Sequence, residues 1–190
     1  MVIETRTYTI EDLWQLSHSS EYSEKRLELS EGELIEMSPA GGKHGWIAQR
    51  FTVRIGSFVD EHDAGYVTAA ETGYILYRNP GGRDTVRAPD VGYIRKDRLP
   101  EGMPDKYIPQ VPDLAVEIVS PTDEAVEIEG KLNDYLKYGV KMIVLCYPKH
   151  QTVHVFSTGN HQILRPGDTL DTGEVLPGFT ITVNDIFGLE

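Results

Sequence analysis

The strongest secondary-structure signals of this chain lie in PDLAVEIVSPTDEAVEIEGKLNDYLKYGVKMIVLCYP, residues 112–148. Its first part, PDLAVEIVSP, is an apolar run of strand length with one acid, Glu117, in its middle, which is typical of a central strand. The following residues predict a helix that begins at Ser120 and Pro121, carries acids in its first turn and ends at Gly139. KMIVLCYP is a second strand. Strand, helix and strand in succession indicate a mixed α/β fold.

The flanking sequence adds further elements on both sides. TIEDLWQLS predicts a short helix capped by Thr9, and RLELSEGELIEMSP predicts a β-hairpin that turns at Glu31 and Gly32. Residues 44–60 predict an amphipathic helix, and GYVTAAETGYILYR, APDVGYIR and TVHVFST predict strands. We expect one domain over residues 1–190. Its parts are an N-terminal helix and hairpin (1–43), a core (44–157) and a β-rich tail (158–190).

Length and composition exclude several classes of protein. The chain has 190 residues, of which 39% are hydrophobic and 25% charged, so a disordered chain is excluded. No apolar run approaches the roughly 20 residues that span a bilayer, and no secretory signal is visible at the N-terminus. Cys146 is the single cysteine, which excludes an intrachain disulfide and a cysteine-rich zinc site. These features predict a cytoplasmic protein without a membrane partner.

The net charge of −12 bears directly on function. Proteins that hold DNA by its phosphates usually carry a basic patch, because neutralising phosphates releases counterions. The acidic balance therefore weighs against a simple nucleic-acid-binding module. It does not weigh against a metal enzyme, whose site requires carboxylates.

Two kinds of acid are candidates for such a site. Glu117 lies in an otherwise apolar strand, where an unpartnered carboxylate costs several kcal/mol, so it should bind a cation or join an ion pair. Asp90 and Asp113 each open a strand directly after a proline. A turn aspartate is the alternative for both, and spacing does not tell which of the two faces a site.

Lys131 is the candidate cation. From Glu117 the strand advances roughly 10 Å, and a helix that packs back antiparallel returns roughly 15 Å, so Lys131 comes near the level of Glu117. The alternative is a surface lysine that pairs with Glu127 one turn earlier. Two carboxylates can hold Mg²⁺, and a nearby ammonium can orient water and offset phosphoryl charge. Acid, acid and lysine around a metal suit phosphodiester hydrolysis.

Four segments carry a resemblance to a known family. RLELSEGELIEMSPAGGKH, RAPDVGYI, PDLAVEIVSPTD and KLNDYLKYGVKMIVLCYP resemble the Uma-two family of restriction-endonuclease-like proteins, in the PD-(D/E)XK nuclease superfamily. The resemblance covers about residues 20–157. It implies a restriction-endonuclease-like core, a mixed β-sheet flanked by helices with an N-terminal hairpin extension, and metal binding by Asp90 and Glu117. Val119 replaces the lysine of the superfamily pattern, and Lys131 matches the position of a substitute from the next helix.

The matching segments contain further polar positions. The resemblance makes Glu28, Glu31 and His44 accessory site residues, with Asp113 a further candidate. The local pattern favours other roles for the glutamates, because Glu31 falls at a hairpin turn and Glu28 on a strand face that solvent can reach. His44 is expected to contact the scissile phosphate or a metal-bound water, or to be a cap or surface histidine.

Three functions fit these observations. The leading hypothesis is a Mg²⁺- or Mn²⁺-dependent endonuclease that hydrolyses DNA, acts in the cytoplasm and forms a homodimer, as nucleases that cut both strands often do. The alternative is a nuclease-fold module that no longer cuts and serves binding or assembly. A third is a structural acidic domain built around ion pairs. Candidates for a DNA-facing surface come from a nearly neutral stretch, and they are Arg83, Arg87, Arg95 and Lys96.

Overall fold

A computed structural model describes residues 6–22 and 25–190 of the chain. The helices are α1 (Ile10–Ser17), α2 (Gly42–His62), α3 (Ala125–Lys137) and α4 (Val183–Phe187). The strands before α3 are β1 (Arg26–Ser30), β2 (Glu33–Met37), β3 (Gly65–Ala69), β4 (Tyr74–Tyr77), β5 (Thr85–Arg87), β6 (Val91–Arg95) and β7 (Leu114–Ile118). Those after it are β8 (Met142–Tyr147), β9 (Thr152–Ser157), β10 (Asn160–Leu164), β11 (Thr169–Asp171) and β12 (Thr180–Thr182).

The central sheet has the strand order β10-β9-β8-β7-β6-β3. Strands β7 and β8 are parallel and joined by α3, whereas the other neighbours pair antiparallel. Residues of α2 and α4, such as Phe51 and Ile186, pack on one face of the sheet, and Tyr74 and Tyr135 pack on the other. Both faces of the central strands are thus buried, which explains the apolar run around Glu117. The prediction of a mixed sheet flanked by helices is confirmed.

A second sheet, in the order β2-β1-β5-β4, carries the N-terminal hairpin. The hairpin turns where the sequence predicts, at Glu31 (φ 47°) and Gly32 (φ 83°), which both adopt left-handed backbone. Strand β1 pairs antiparallel with β5 through Leu29 and Val86. Because β5 directly precedes Asp90 and β6, this pairing brings the hairpin to the end of the central sheet where the site lies.

The predicted start of α3 is wrong by several residues. The Ser120 backbone N–H donates to Asp123 Oδ2 (2.8 Å), so residues 120–123 form a turn instead of a first helical turn. The helix begins after Glu124, where Glu124 and Glu127 form a capping box. The predicted end is confirmed, since α3 stops at Lys137 and Gly139 has a φ of 84°.

Some apolar side chains of the two long helices are exposed, although their helical spacing predicts that they lie on the buried face. Trp46 and Val53 of α2 and Leu136 of α3 are each more than 40% exposed. The α1 helix and its Thr9 cap are as predicted, and Cys146 is buried in the core. Over residues 6–22 and 25–190, none of the helices has the length and apolar character needed to cross a membrane.

Candidate active site

Asp90 and Glu117 lie side by side at one end of the central sheet. In the antiparallel pair β6–β7, Val91 faces Val116, so the residue before β6 meets Glu117 near the end of β7. The Ile118 backbone N–H donates to Asp90 Oδ2 (2.8 Å), which fixes that carboxylate against β7. Both acids are more than 90% buried. The strand register therefore brings together two carboxylates that are 27 residues apart in sequence.

Lys131 reaches these acids from α3. Its Nζ lies 3.2 Å from Glu117 Oε1 and 3.1 Å from Glu117 Oε2. The same ammonium lies 3.1 Å from Glu28 Oε1 in β1. The predicted approach of Lys131 to Glu117 is therefore present, although the helix begins later than expected, because the helix still packs antiparallel to β7.

Glu28 is not on a solvated strand face, as its local pattern favours, but 2% exposed. One of its oxygens, Oε1, accepts from the Ala88 backbone N–H (3.1 Å) and contacts Lys131. The other, Oε2, accepts from Arg87 (2.8 Å). Glu28 is buried because the side chains of Arg87 from β5 and Lys131 from α3 pack around it, and the alternation of β1 reveals neither neighbour.

Sequence reasoning missed the roles of four residues in the cluster around the acids, and they are Tyr135, Arg87, Asp134 and Ser30. The Tyr135 hydroxyl donates to Glu117 Oε1 (2.6 Å). Arg87 donates through Nε to Asp134 Oδ2 (2.8 Å), and the Ser30 hydroxyl donates to the same oxygen (2.8 Å). The signal for Tyr135 was its spacing of four residues from Lys131, which places both on one helix face. Asp134 and Arg87 carried no such signal, because their pairing joins elements distant in sequence.

These contacts form a chain of alternating charges. Asp134, Arg87, Glu28, Lys131 and Glu117 follow one another as acid, base, acid, base and acid, each in contact with the next. Asp90 adds a further acid beside Glu117. The described cluster thus holds four carboxylates against two permanent cations. This excess of negative charge favours protonation within the cluster or the binding of a cation.

The pKa shifts follow from this imbalance. Burial, together with the negative charges of Asp90 and Glu28, raises the pKa of Glu117 to about 7 despite the nearby Lys131. Burial opposes ionisation of Glu28 as well, but the charges of Lys131 and Arg87 hold its pKa below the ordinary value. Burial also opposes the charge of Lys131, yet Glu117 and Glu28 raise its pKa, so it remains an ammonium.

His44, in the first turn of α2, lies on the other side of Asp90. Its Nε2 is 3.0 Å from Asp90 Oδ2, and its side chain is 13% exposed. The hydrogen bond with Asp90 raises the pKa of His44. A histidine at this position is suited to contact an anionic group that enters beside Asp90.

The acids and Lys131 line a cleft of about 780 Å³ between the two sheets. One face of the hairpin forms a wall of this cleft, and the first two turns of α3 line it as well. The loops around Thr72 and Lys106 also contribute to the lining. The reactive groups are therefore accessible from solvent through a cleft, although each is individually well buried.

The donor set fits a hard divalent cation in part. Asp90 and Glu117 offer carboxylate oxygens, the ligands that Mg²⁺ and Mn²⁺ prefer, in a cluster with excess negative charge. Within residues 6–22 and 25–190, however, no group of three or more His, Cys, Asp or Glu side chains is arranged to hold a metal ion. Two protein carboxylates are sufficient for Mg²⁺, which usually keeps several water ligands.

The remaining predicted residues lie elsewhere. Glu31 sits at the hairpin turn, exposed, and pairs with Lys137. Asp113 lies at the opposite end of β7 from the site and contacts Arg98 and Lys141. Neither carboxylate reaches the cluster around Glu117.

The predicted DNA-facing residues do not form one surface. Arg87 is 3% exposed and holds Glu28 and Asp134, so the prediction that it faces DNA is wrong. Arg95 pairs with Asp97 and Lys96 with Asp63, at the end of β6 remote from Asp90. Arg83 is exposed near the hairpin turn. The basic side chains of this stretch are thus dispersed because β6 carries them to both ends of the sheet.

A mixed central sheet with two acids on adjacent strands and a lysine from the following helix defines a restriction-endonuclease-like fold. The family model described as "Uma2: Putative restriction endonuclease" matches residues 10–184. The chain therefore belongs to the Uma2 family, as the sequence resemblance predicts.

A solved structure supports the same fold. The crystal structure at 1.96 Å of a "putative nuclease belonging to DUF820" from Anabaena variabilis ATCC 29413 superimposes with a TM-score of 0.80. The two chains are 21% identical, and the alignment covers 95% of this chain and 97% of the other. No curated protein matches the chain significantly. At this identity the likeness shows the architecture alone.

Proposed function

We propose that this protein is an endonuclease that hydrolyses phosphodiester bonds of DNA with Mg²⁺ or Mn²⁺ as cofactor. The observation that carries the proposal is the position of Lys131 Nζ, within 3.2 Å of both Glu117 oxygens, beside Asp90 and in an open cleft. Membership of a family described as restriction endonucleases agrees with it. A cytoplasmic location and a homodimeric state stay predictions from sequence.

Each residue has a role in this proposal. Asp90 and Glu117 would hold the cation, which when bound polarises the phosphoryl oxygens and lowers the pKa of a bound water. Lys131, kept charged by Glu117 and Glu28, positions the attacking water and stabilises the negative charge that develops on the phosphoryl group. Tyr135 fixes the orientation of Glu117, and His44 contacts the phosphate beside Asp90.

One observation favours a second candidate, the nuclease-fold module that does not cut. Lys131 and Tyr135 already engage both Glu117 oxygens, and the chain is acidic. A metal cation has to compete with the Lys131 ammonium for the Glu117 carboxylate. If Lys131 is not displaced, the cluster consists of ion pairs without a metal. Direct measurement of metal binding separates the two candidates.

The test combines cleavage and metal binding. Native protein in Mg²⁺ or Mn²⁺ should cleave plasmid or oligonucleotide DNA, Glu117→Ala should abolish cleavage, and Glu129→Ala, an exposed glutamate of α3 outside the cleft lining, should not. Titration calorimetry with Mn²⁺ should give binding to native protein and loss of it in Glu117→Ala. Cleavage that survives in Glu117→Ala contradicts the site, and absence of metal binding at millimolar concentration favours the non-catalytic module.

A further inference from the structure

The hairpin wall of the cleft has an apolar part next to Glu28. Residues that pair directly across two strands project from the same face of a sheet. Glu28 pairs with Ile35, and Arg26 pairs with Met37, and all four side chains line the cleft. Ile35 and Met37 are only half-buried, so they do not belong to the core. They form an apolar strip beside Glu28 that solvent can reach.

The first turn of α3 contributes another exposed apolar side chain. Val126 also lines the cleft, and it is 67% exposed, the largest exposed fraction among the large hydrophobic residues described. Single exposed apolar residues are normal on protein surfaces. Val126, Ile35 and Met37 differ from that case because they lie in one cleft with the reactive acids.

The cations of the cleft are already engaged. Lys25 pairs with Glu36 (2.7 Å) and Arg26 with Glu71 (3.4 Å). Arg87 and Lys131 hold the buried acids, and Lys106 lies over the Trp14 ring (5.4 Å). Among the residues that the structure describes, the cleft therefore offers no lysine or arginine without an anionic or aromatic partner. Duplex DNA, which is held mainly through its phosphates, finds little to bind here.

We propose that the cleft takes an unpaired stretch of nucleic acid, with its bases against Ile35, Met37 and Val126 and its scissile phosphate beside Asp90 and Glu117. The inference rests on the proposed nuclease function and names its substrate class. Unpaired bases expose the flat faces that contact apolar and aromatic side chains, whereas the bases of a duplex are stacked on each other. A cleft of about 780 Å³ has the size of a small-ligand site, which suits a few nucleotides.

The first experiment compares two substrates for the native enzyme in Mg²⁺. One is a fluorescein-labelled single strand of about 20 nucleotides, long enough to exceed the site of one binding fold, and the other is the same strand annealed to its complement. We expect kcat/KM to be at least about tenfold higher for the single strand, and a slope of log KM against log salt that corresponds to about two phosphate contacts or fewer. Equal rates, or faster duplex cleavage, would overturn the inference and leave the nuclease function intact.

The second experiment tests the apolar wall with a matched pair of variants. Val126→Ser should raise KM for the single strand about three- to tenfold with kcat within about twofold, whereas Val53→Ser, on the exposed side of α2 outside the cleft lining, should change neither. Val126→Ile should keep the native KM, which controls for an effect on the helix start. An unchanged KM in Val126→Ser overturns the proposal.

A binding measurement separates this inference from the proposed chemistry. Glu117→Gln protein in Mg²⁺ is titrated against both labelled substrates and followed by fluorescence anisotropy. Preferential binding of the single strand, weakened by adding Val126→Ser, supports the substrate class even if the native protein cuts neither substrate. Binding of neither substrate, or preference for the duplex, overturns it.

Discussion

Asp90 and Asp113 have the same local sequence and opposite environments. Each follows a proline and opens a strand of the central sheet, but β6 and β7 run antiparallel, so the two aspartates lie at opposite ends of the same strand pair. Asp90 meets a glutamate, a histidine and a cleft. Asp113 is fully buried and meets Lys141 (2.7 Å), Arg98 (3.1 Å) and the Arg95 backbone N–H (2.9 Å).

Asp113 is a structural acid, whereas Glu117 is a candidate catalytic acid. Burial opposes ionisation of Asp113, but its hydrogen bonds from Lys141 and Arg95 hold its pKa below the ordinary value. At the other end of β7, burial and neighbouring carboxylates raise the pKa of Glu117. The charge of a structural acid is balanced within the fold, whereas the acids at the cleft carry an excess of negative charge that a cationic ligand can balance.

The largest expected effect concerns activity. Asp90→Asn should lower kcat for DNA cleavage at least about 100-fold, because it removes one of two candidate metal carboxylates. Asp113→Asn, the matched substitution at the other end, should leave kcat per folded molecule within about twofold. Steady-state cleavage assays on both variants, normalised to the folded fraction, provide the measurement. Similar losses of kcat in both variants would contradict the assignment of the active site to the Asp90 end of the β6–β7 pair.

Arg87→Met should cause the largest loss of stability. The substitution leaves Asp134 buried without a cation and Glu28 with Lys131 alone, and breaking such a buried pair typically costs about 3–5 kcal/mol in the free energy of unfolding. Urea denaturation measures this loss. The double variant Arg87→Met with Asp134→Leu should recover part of the stability, because Asp134→Leu removes the buried carboxylate that Arg87→Met leaves without a cation. No recovery would mean that the ion pair itself does not account for the loss.

Asp113→Asn should cost about 1–3 kcal/mol of unfolding free energy, since it removes a buried charge that satisfies two cations and one N–H. The pKa of Asp113 is lower in the folded state than its ordinary 3.8, so its stabilisation is present above that value and is lost as the pH falls through the folded pKa. Native protein and the variant should therefore converge in stability once the pH has fallen below the folded-state pKa of Asp113. Denaturation at a series of pH values tests this, and a constant difference would contradict it.

Glu117→Gln should change the free energy of unfolding in the opposite direction to the two preceding variants, because it should stabilise the metal-free protein. Because the pKa of Glu117 is raised from 4.5 to about 7, the metal-free folded state binds more protons than the unfolded state in this window, so native stability falls as the pH rises through it. The variant lacks this loss, and at about 1.4 kcal/mol per pKa unit it should gain up to roughly 3 kcal/mol relative to native protein as the pH rises from 4.5 to 8. Thermal unfolding without metal measures it. A structural acidic domain predicts lower stability of the variant at every pH.

The sequence alone predicted the order of most elements and the approach of Lys131 to Glu117. The hairpin turn at Glu31 and Gly32 follows from local turn chemistry, and the central strand follows from its continuous apolar run. The approach of Lys131 to Glu117 follows from the rise per residue of a strand and of a helix. This prediction is correct although the predicted start of α3 is wrong by several residues. These features depend on contacts or geometry within short stretches of chain.

The tertiary structure supplies the physical reason why Asp90 and Asp113 differ: both follow a proline, the family resemblance favoured Asp90, and the antiparallel register gives the two aspartates different neighbours. It also decided that Glu28 and Arg87 are buried, since the elements that cover them come from β5 and α3, roughly 60 and 100 residues beyond β1. Burial and charge balance are properties of all the elements that pack around a residue. Alternation within one strand cannot specify them.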